Sequence, residues 1–365
     1  MNDLTRVLKI LKRRRSESFA MATVVKIEGS AYRHEGAKML IDAKGRRYGV
    51  ISGGCLEEDI IHHADEVLRS GKSKLLRYDN QKENNLSWGP WSGCVGVIYI
   101  YLEKTDWNFL KDRKGNSLWE TIEGKLSMGQ RVISLKYIEE ESSSHAGVYY
   151  SDEGNVLAGP DDLIQQHIQE LKAFSSDHKQ TNMVFLENQR IMLMEQFQPK
   201  ESVYIFGAGT DTEFLVDLLA KLDFSVTVVD PRSERYEQGN FAAALEFVIE
   251  FPHLYLRQHP IAENSYYVIM THNFRWDQAI LPYFLKHPPK YLGLLGSKKR
   301  TEQLFSPEPI PDWIHAPIGI NIPAEGAEEI AISIAAQLIQ IRGQGDRSIV
   351  PKTKGRFLRF PNISQ

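Results

Sequence analysis

Apolar and polar positions follow one rhythm in the first 200 residues and another in the rest. Leu4, Val7, Leu8 and Leu11 fall on a single helical face, which predicts a helix over residues 3–14. Short apolar runs at 19–27, 38–41 and 48–51 read as strands, separated by glycine turns at Gly29, Gly36 and Gly45. A second helix is expected over 56–69, with Ile60, Ile61, Ala64, Val67 and Leu68 on its apolar face and Gly71 as its stop. Strands at 74–78 and 94–101 flank a polar loop over 79–93 that is rich in glycine and tryptophan. A helix over 117–126, strands at 131–137 and 147–150, and a helix over 163–171 come next. A polar connector at 174–182 and a hairpin at 183–197 complete this half. The methionines and phenylalanines of the hairpin read as core.

Beyond residue 200 strand and helix alternate, the pattern of a parallel sheet covered on both faces. Strands are expected at 203–206, 226–229, 266–270 and 291–294, a helix at 211–222, and a final amphipathic helix over 327–342 with Ile330, Ile334, Leu338 and Ile341 inward. The expected fold class is α/β: an N-terminal α+β domain followed by a C-terminal Rossmann-type domain with a parallel sheet. The domains run over 1–198 and 199–345 with a tail over 346–365, and the boundary falls at Gln198-Pro199-Lys200.

Composition adds limits to this picture. A chain of 365 residues exceeds one ordinary core, in keeping with two domains. Hydrophobic residues at 42% and charged residues at 25% argue for a globular chain. The formal net charge of -3 offers no general attraction for nucleic acid or anionic lipid, and the run Lys12-Arg13-Arg14-Arg15 reads as the closing turn of the first helix. No stretch approaches the about 20 apolar residues of a membrane span, and the first residues lack the apolar core of a signal peptide. Two cysteines, Cys55 and Cys94, cannot form a four-thiolate metal site and suit a reducing compartment. A cytoplasmic protein is expected.

In the second half Gly207-Ala208-Gly209 follows a strand and opens a helix, and Asp230 ends the next strand. That is the dinucleotide layout, in which glycines let backbone amides approach a pyrophosphate and the acid grips a ribose. Thr212 stands at the third glycine position, and Asp211 sits where its carboxylate would compete with a bound phosphate. NAD(P) is therefore a candidate ligand and a Rossmann scaffold kept for packing is the alternative. Arg232 could meet a phosphate or lie idle on a turn. His272 and Asp277 follow a later strand at the ligand-binding edge of the sheet, and Ser297 opens a helix beside Lys298, Lys299 and Arg300.

Two motifs of the first half suggest chemistry of their own. Ser30 and Arg33 lie in Gly29-Ser30-Ala31-Tyr32-Arg33-His34-Glu35-Gly36-Ala37, a combination suited to a phosphate or carboxylate. In Ser52-Gly53-Gly54-Cys55-Leu56-Glu57-Glu58 the glycines free amides to point at an anion and place Cys55 at a helix start, where a thiolate is favoured. Glu57 and Glu58 read as first-turn acids that cap the helix.

These motifs, with Gly93-Cys94-Val95-Gly96, resemble the first domain of the XdhC/CoxI family, the xanthine dehydrogenase accessory factors. In the second half Gly207-Ala208-Gly209, Val229-Asp230-Pro231-Arg232, Met270-Thr271-His272, Leu295-Gly296-Ser297-Lys298-Lys299, Ala316-Pro317-Ile318-Gly319 and residues 328–334 match the same family in order. Tyr32 stands where the family usually has proline. The resemblance implies a chaperone with the molybdenum cofactor as cargo. Such a protein holds the cofactor while a cysteine desulfurase replaces an oxo ligand by sulfido, then delivers it to a xanthine dehydrogenase-type apoenzyme. It also implies that the glycine turns and Arg33 face the phosphate, with Cys55 and Cys94 near the molybdenum. A homodimer is the expected assembly. The competing reading is an NAD(P)-dependent oxidoreductase acting through His272 or Asp277.

Overall fold

The computed structural model describes residues 3–54, 56–79, 96–138, 147–160, 181–185, 191–262 and 264–347. Cys55, Cys94, the loop expected over 79–93 beyond its first residue and the helix expected over 163–171 lie outside them. The chain forms two compact units. One runs through Glu201 and includes Leu222–Ser225; the other comprises Ser202–Lys221 and the chain from Val226 on.

The first unit contains two five-stranded antiparallel sheets. It opens with α1 (Asp3–Arg13), β1 (Phe19–Gly29), β2 (Lys38–Asp42), β3 (Arg47–Gly49), α2 (Glu57–Ser70), β4 (Lys74–Asp79) and β5 (Gly96–Thr105). The first sheet has the order β3-β2-β1-β5-β4. Alternation along its strands divides the work: Ala20, Ala22, Val24, Ile98, Ile100 and Leu102 pack under Ile60, Ala64 and Val67 of α2. Gly71 ends α2 in the left-handed conformation that glycine tolerates.

The second sheet follows as α3 (Leu118–Ser127), β6 (Val132–Ile138), β7 (Gly147–Ser151), β8 (Val156–Ala158), β9 (Thr181–Phe185) and β10 (Ile191–Phe197), in the order β8-β7-β6-β10-β9. Val25, Val97, Tyr99 and Tyr101 of the first sheet share a core with Ile138, Met183 and Leu193 of the second. Lys38 and Glu195, 2.5 Å apart, cross between the sheets, as do Lys136 and Glu103 at 2.7 Å. Strands buried on both faces explain why β2 is buried at all five positions. Leu4, Leu8 and Leu11 of α1 and Trp119 and Ile122 of α3 form a separate core cluster with Phe19, Met21, Leu40 and Val132.

The second unit contains β11 (Ser202–Phe206), α4 (Thr210–Lys221), β12 (Ser225–Val229), α5 (Ser233–Glu237), β13 (Glu246–Val248), α6 (Pro252–Gln258), β14 (Tyr266–Ile269), α7 (Phe274–Lys286), β15 (Tyr291–Leu294), α8 (Lys298–Phe305), β16 (Ile314–His315) and α9 (Gly326–Arg347). Its six strands lie in the order β13-β12-β11-β14-β15-β16, with parallel registers. This is the doubly wound Rossmann order, whose direction reverses between β11 and β14. Helix α9 packs against α4, with Ala331, Ile334, Ala335 and Leu338 buried. Phe206, Ile280, Leu281 and Phe284 belong to one core cluster with Tyr255 and Phe305.

Candidate functional site

The β1–β2 loop and the turn leading into α2 meet within the first unit. The strand expected over 48–51 runs over Arg47–Gly49, and Gly49, at φ 116°, lies against β2, where a Cβ would stand 2.6 Å from the Lys38 carbonyl oxygen. The Val50 carbonyl then leaves the ladder and accepts from Arg33 Nη1 at 2.9 Å. Arg33 Nη2 donates to Asp3 Oδ2 at 2.5 Å, and the same oxygen accepts the Lys38 amide at 3.1 Å. Arg33 is thus a tie between the two loops, with its charge matched by a buried carboxylate, rather than a guanidinium held open for an anion. Ser30 is exposed, and its backbone lies against Gly96, where a Cβ would meet the Ser30 carbonyl at 2.8 Å.

A similar economy governs the turn itself. Glu57, only 3% exposed, accepts the Ser52 amide at 2.8 Å on one oxygen and the Ser52 hydroxyl on the other. The Ser52 hydroxyl accepts the amides of Gly54 at 3.3 Å and Leu56 at 3.1 Å. Burial works against the charge of Glu57, yet the Ser52 hydrogen bonds hold its carboxyl below the usual value. The amides of Ser52, Gly54 and Leu56 are therefore turned inward to the chain's own oxygens, in a turn whose glycines were expected to free amides for an anion. Among the described residues the outward side presents exposed Gly53 and Gly54, and Tyr32, 62% exposed, has its ring 4.0 Å from the Cβ position of Gly53. Cys55 continues this turn outside the described residues.

The glycine turn of the second unit is closed in the same way. Gly207 accommodates a close approach of β14, since a Cβ there would stand 2.2 Å from the Met270 carbonyl oxygen. Asp230 is fully buried and accepts the Ala208 amide at 2.8 Å, together with the amide, Nε and Nη2 of Arg232 at 2.9, 2.8 and 2.7 Å. Burial opposes ionisation of Asp230, but the bonds from Arg232 and Ala208 outweigh it and depress its pKa. The expected grip on a ribose is thus met by an internal ion pair, in which Arg232 engages Asp230 through its Nε and Nη2.

Asp211 and His272 complete the closure. A Cβ on Gly209 would stand 2.3 Å from Asp211 Oδ1, so the carboxylate occupies the space in front of the helix where a pyrophosphate would rest. His272, in the left-handed region at φ 53, holds that carboxylate through Nε2 at 2.9 Å. Thr212 is fully buried, and its hydroxyl finds no hydrogen-bond partner among the described residues. Asp277 is buried, bonded to Thr271 Oγ1 and Arg300 Nη2 at 2.5 Å each, and burial raises its pKa despite both partners. Ser297 caps α8 by accepting the Arg300 amide at 3.3 Å. These residues do not fit a bound dinucleotide.

Two contributing residues and one pairing carry no signal of their role in the sequence. Asp3 carries no such signal, because nothing local announces a partner 30 residues away. Tyr32 stood only as a departure from a motif. Asp211 and His272 were each singled out, but their pairing spans 61 residues. Among the described residues there is no group of three or more His, Cys, Asp or Glu able to hold a metal ion, and no helix long and apolar enough to cross a membrane.

Residues 13–79 match the model of the XdhC and CoxI family, and residues 203–338 match the XdhC Rossmann domain. A protein of Bacillus subtilis (strain 168), named as a probable subunit of xanthine dehydrogenase, is 35% identical over 327 residues, spanning 89% of this chain and 94% of its own. The molybdenum cofactor insertion chaperone PaoD of Escherichia coli (strain K12) is 40% identical over 334 residues, spanning 88% of this chain and 83% of its own. A crystal structure of a xanthine dehydrogenase from Bacillus halodurans superposes with a TM-score of 0.77 at 34% identity, covering 96% of this chain and 98% of that one.

Proposed function

Because this chain belongs to the XdhC and CoxI family, we propose that it is a chaperone that carries the molybdenum cofactor. It binds the cofactor as cargo, holds it while a cysteine desulfurase sulfurates it, and delivers it to a xanthine dehydrogenase-type apoenzyme. Carriage takes place in the cytoplasm, with the chain as a homodimer. The observation that carries the reading is the 40% identity to a molybdenum cofactor insertion chaperone across 88% of the chain. The first-unit turn supports it: two glycine loops meet there, and the chain runs from exposed Gly54 straight into Cys55. A thiolate is a soft ligand suited to a metal that must later be released. Cys94 is the second thiol assigned to the molybdenum.

The oxidoreductase alternative is disfavoured by the closed glycine turn of the second unit. Protein produced in a host that makes the cofactor should carry sub-stoichiometric molybdenum and pterin, measured by metal analysis and by fluorescence of the oxidised pterin. Cys55→Ala should lower both several-fold, and Arg33→Ala should do so by untying the two loops. A wild-type chain free of both molybdenum and pterin would refute the proposal. Equal loading of Cys55→Ala would remove that thiol from the site.

A further inference from the structure

The first-unit turn was expected to receive the phosphate end of its cargo, yet its polar groups are turned inward. Ser52, Gly54 and Leu56 direct their amides to Glu57 and to the Ser52 hydroxyl, and Arg33 is matched by Asp3. The outward side offers an exposed aromatic ring and two glycines without side chains. Among the described residues nothing stands within 4 Å of the Cβ position of Gly54, and the Tyr32 ring lies 4.0 Å from that of Gly53. Carbon atoms in contact sit about 3.5–4.0 Å apart, so the tyrosine edge already meets the Cβ position of Gly53 and makes one surface with the glycine backbone, on which a flat ring system can lie. A tetrahedral phosphate would find no comparable set of donors among the described residues of the turn.

We propose that Tyr32, Gly53 and Gly54 form a shelf for the planar ring system of a pterin, so that this turn grips the cargo by its face and not by its phosphate. The choice of a pterin as occupant rests on the proposed chaperone function. Tyr32 supplies π-stacking area at the cost of few rotatable bonds. Gly53 and Gly54 supply a surface that any side chain would obstruct. The Arg33–Val50 bond ties the two halves of the shelf together, and the Ser52–Glu57 bonds fix its glycine half.

Neopterin, an uncharged pterin without phosphate or metal, is the direct probe, followed by quenching of its fluorescence. Wild-type protein should bind it saturably, and Tyr32→Ala should weaken binding about tenfold, the scale of one lost aromatic stack. Tyr32→Phe keeps the ring and should stay within about twofold of wild type on the same stacking argument. Gly53→Val places an isopropyl group on the shelf at a residue outside the left-handed region, and should weaken binding as Tyr32→Ala does. The shelf is overturned if wild type shows no saturable quenching, or if Tyr32→Ala binds neopterin like wild type at an unchanged melting temperature. If the purified wild type carries no molybdenum or pterin while neopterin binding depends on Tyr32, the chaperone reading falls and the shelf is supported.

Discussion

Ser52 accepts two amides on its hydroxyl oxygen, so the hydroxyl hydrogen goes to Glu57, whose other oxygen takes the Ser52 amide. Both oxygens of Glu57 therefore accept, the arrangement that favours the ionised carboxylate and lowers its pKa. Glutamine would present an NH2 to one of two donors. Glu57→Gln should cost about 1–3 kcal/mol, the penalty of a buried donor left unmatched, read as a fall in midpoint on denaturant unfolding at pH 7. Because the folded pKa of Glu57 is depressed, its contribution is complete above its unfolded value and lost as pH falls through the folded one. The difference between wild type and Glu57→Gln should accordingly shrink as pH drops below about 4. A constant difference across that range would assign the loss to packing alone.

At the scale of an element, the strand–turn–helix of the second unit shows how far a motif speaks for its ligand. The alternation of strand and helix and the apolar face of α9 were readable, because long periodic segments constrain their own partners. Short pieces such as β13 and β16, of three and two residues, carry no period to read. The chemistry at the turn was only half legible. Asp211 could be seen as a rival to phosphate, but its anchor His272 arrives from the end of another strand. Calorimetry with NAD and NADP at millimolar concentration should give no saturable heat with the wild-type chain. Sub-millimolar binding of either would show that Asp211 and the Asp230–Arg232 pair yield to a ligand.

For the whole molecule, the largest gap between sequence and structure is the stacking of two sheets in the first unit. Alternation located the strands, but sheet partners such as Lys38 and Glu195 are 157 residues apart. Two lysines and two glutamates at the heart of a β core also break the rule that buried positions are apolar. Burial would discharge Lys136, yet Glu103 and Glu195 keep its pKa well above the ordinary value. Removing one partner strands a buried charge: Lys38→Met or Glu195→Leu alone should destabilise by about 3–5 kcal/mol. The double variant should recover most of that loss, since well-packed apolar replacements of a buried pair are often neutral or better. Denaturant unfolding of the four proteins measures the coupling, and additive losses would mean that the pair is not one unit.

Gly207 carries a different kind of consequence. Its missing Cβ is demanded by the Met270 carbonyl oxygen, 2.2 Å from where that atom would be. Sheet geometry therefore maintains this glycine with or without a nucleotide in front of it. A lineage that abandoned its dinucleotide would still transmit the first letter of the fingerprint, because every replacement would be eliminated through folding before binding was ever tested. In such descendants the glycine records ancestry, and the present trade of the protein has to be sought at another address.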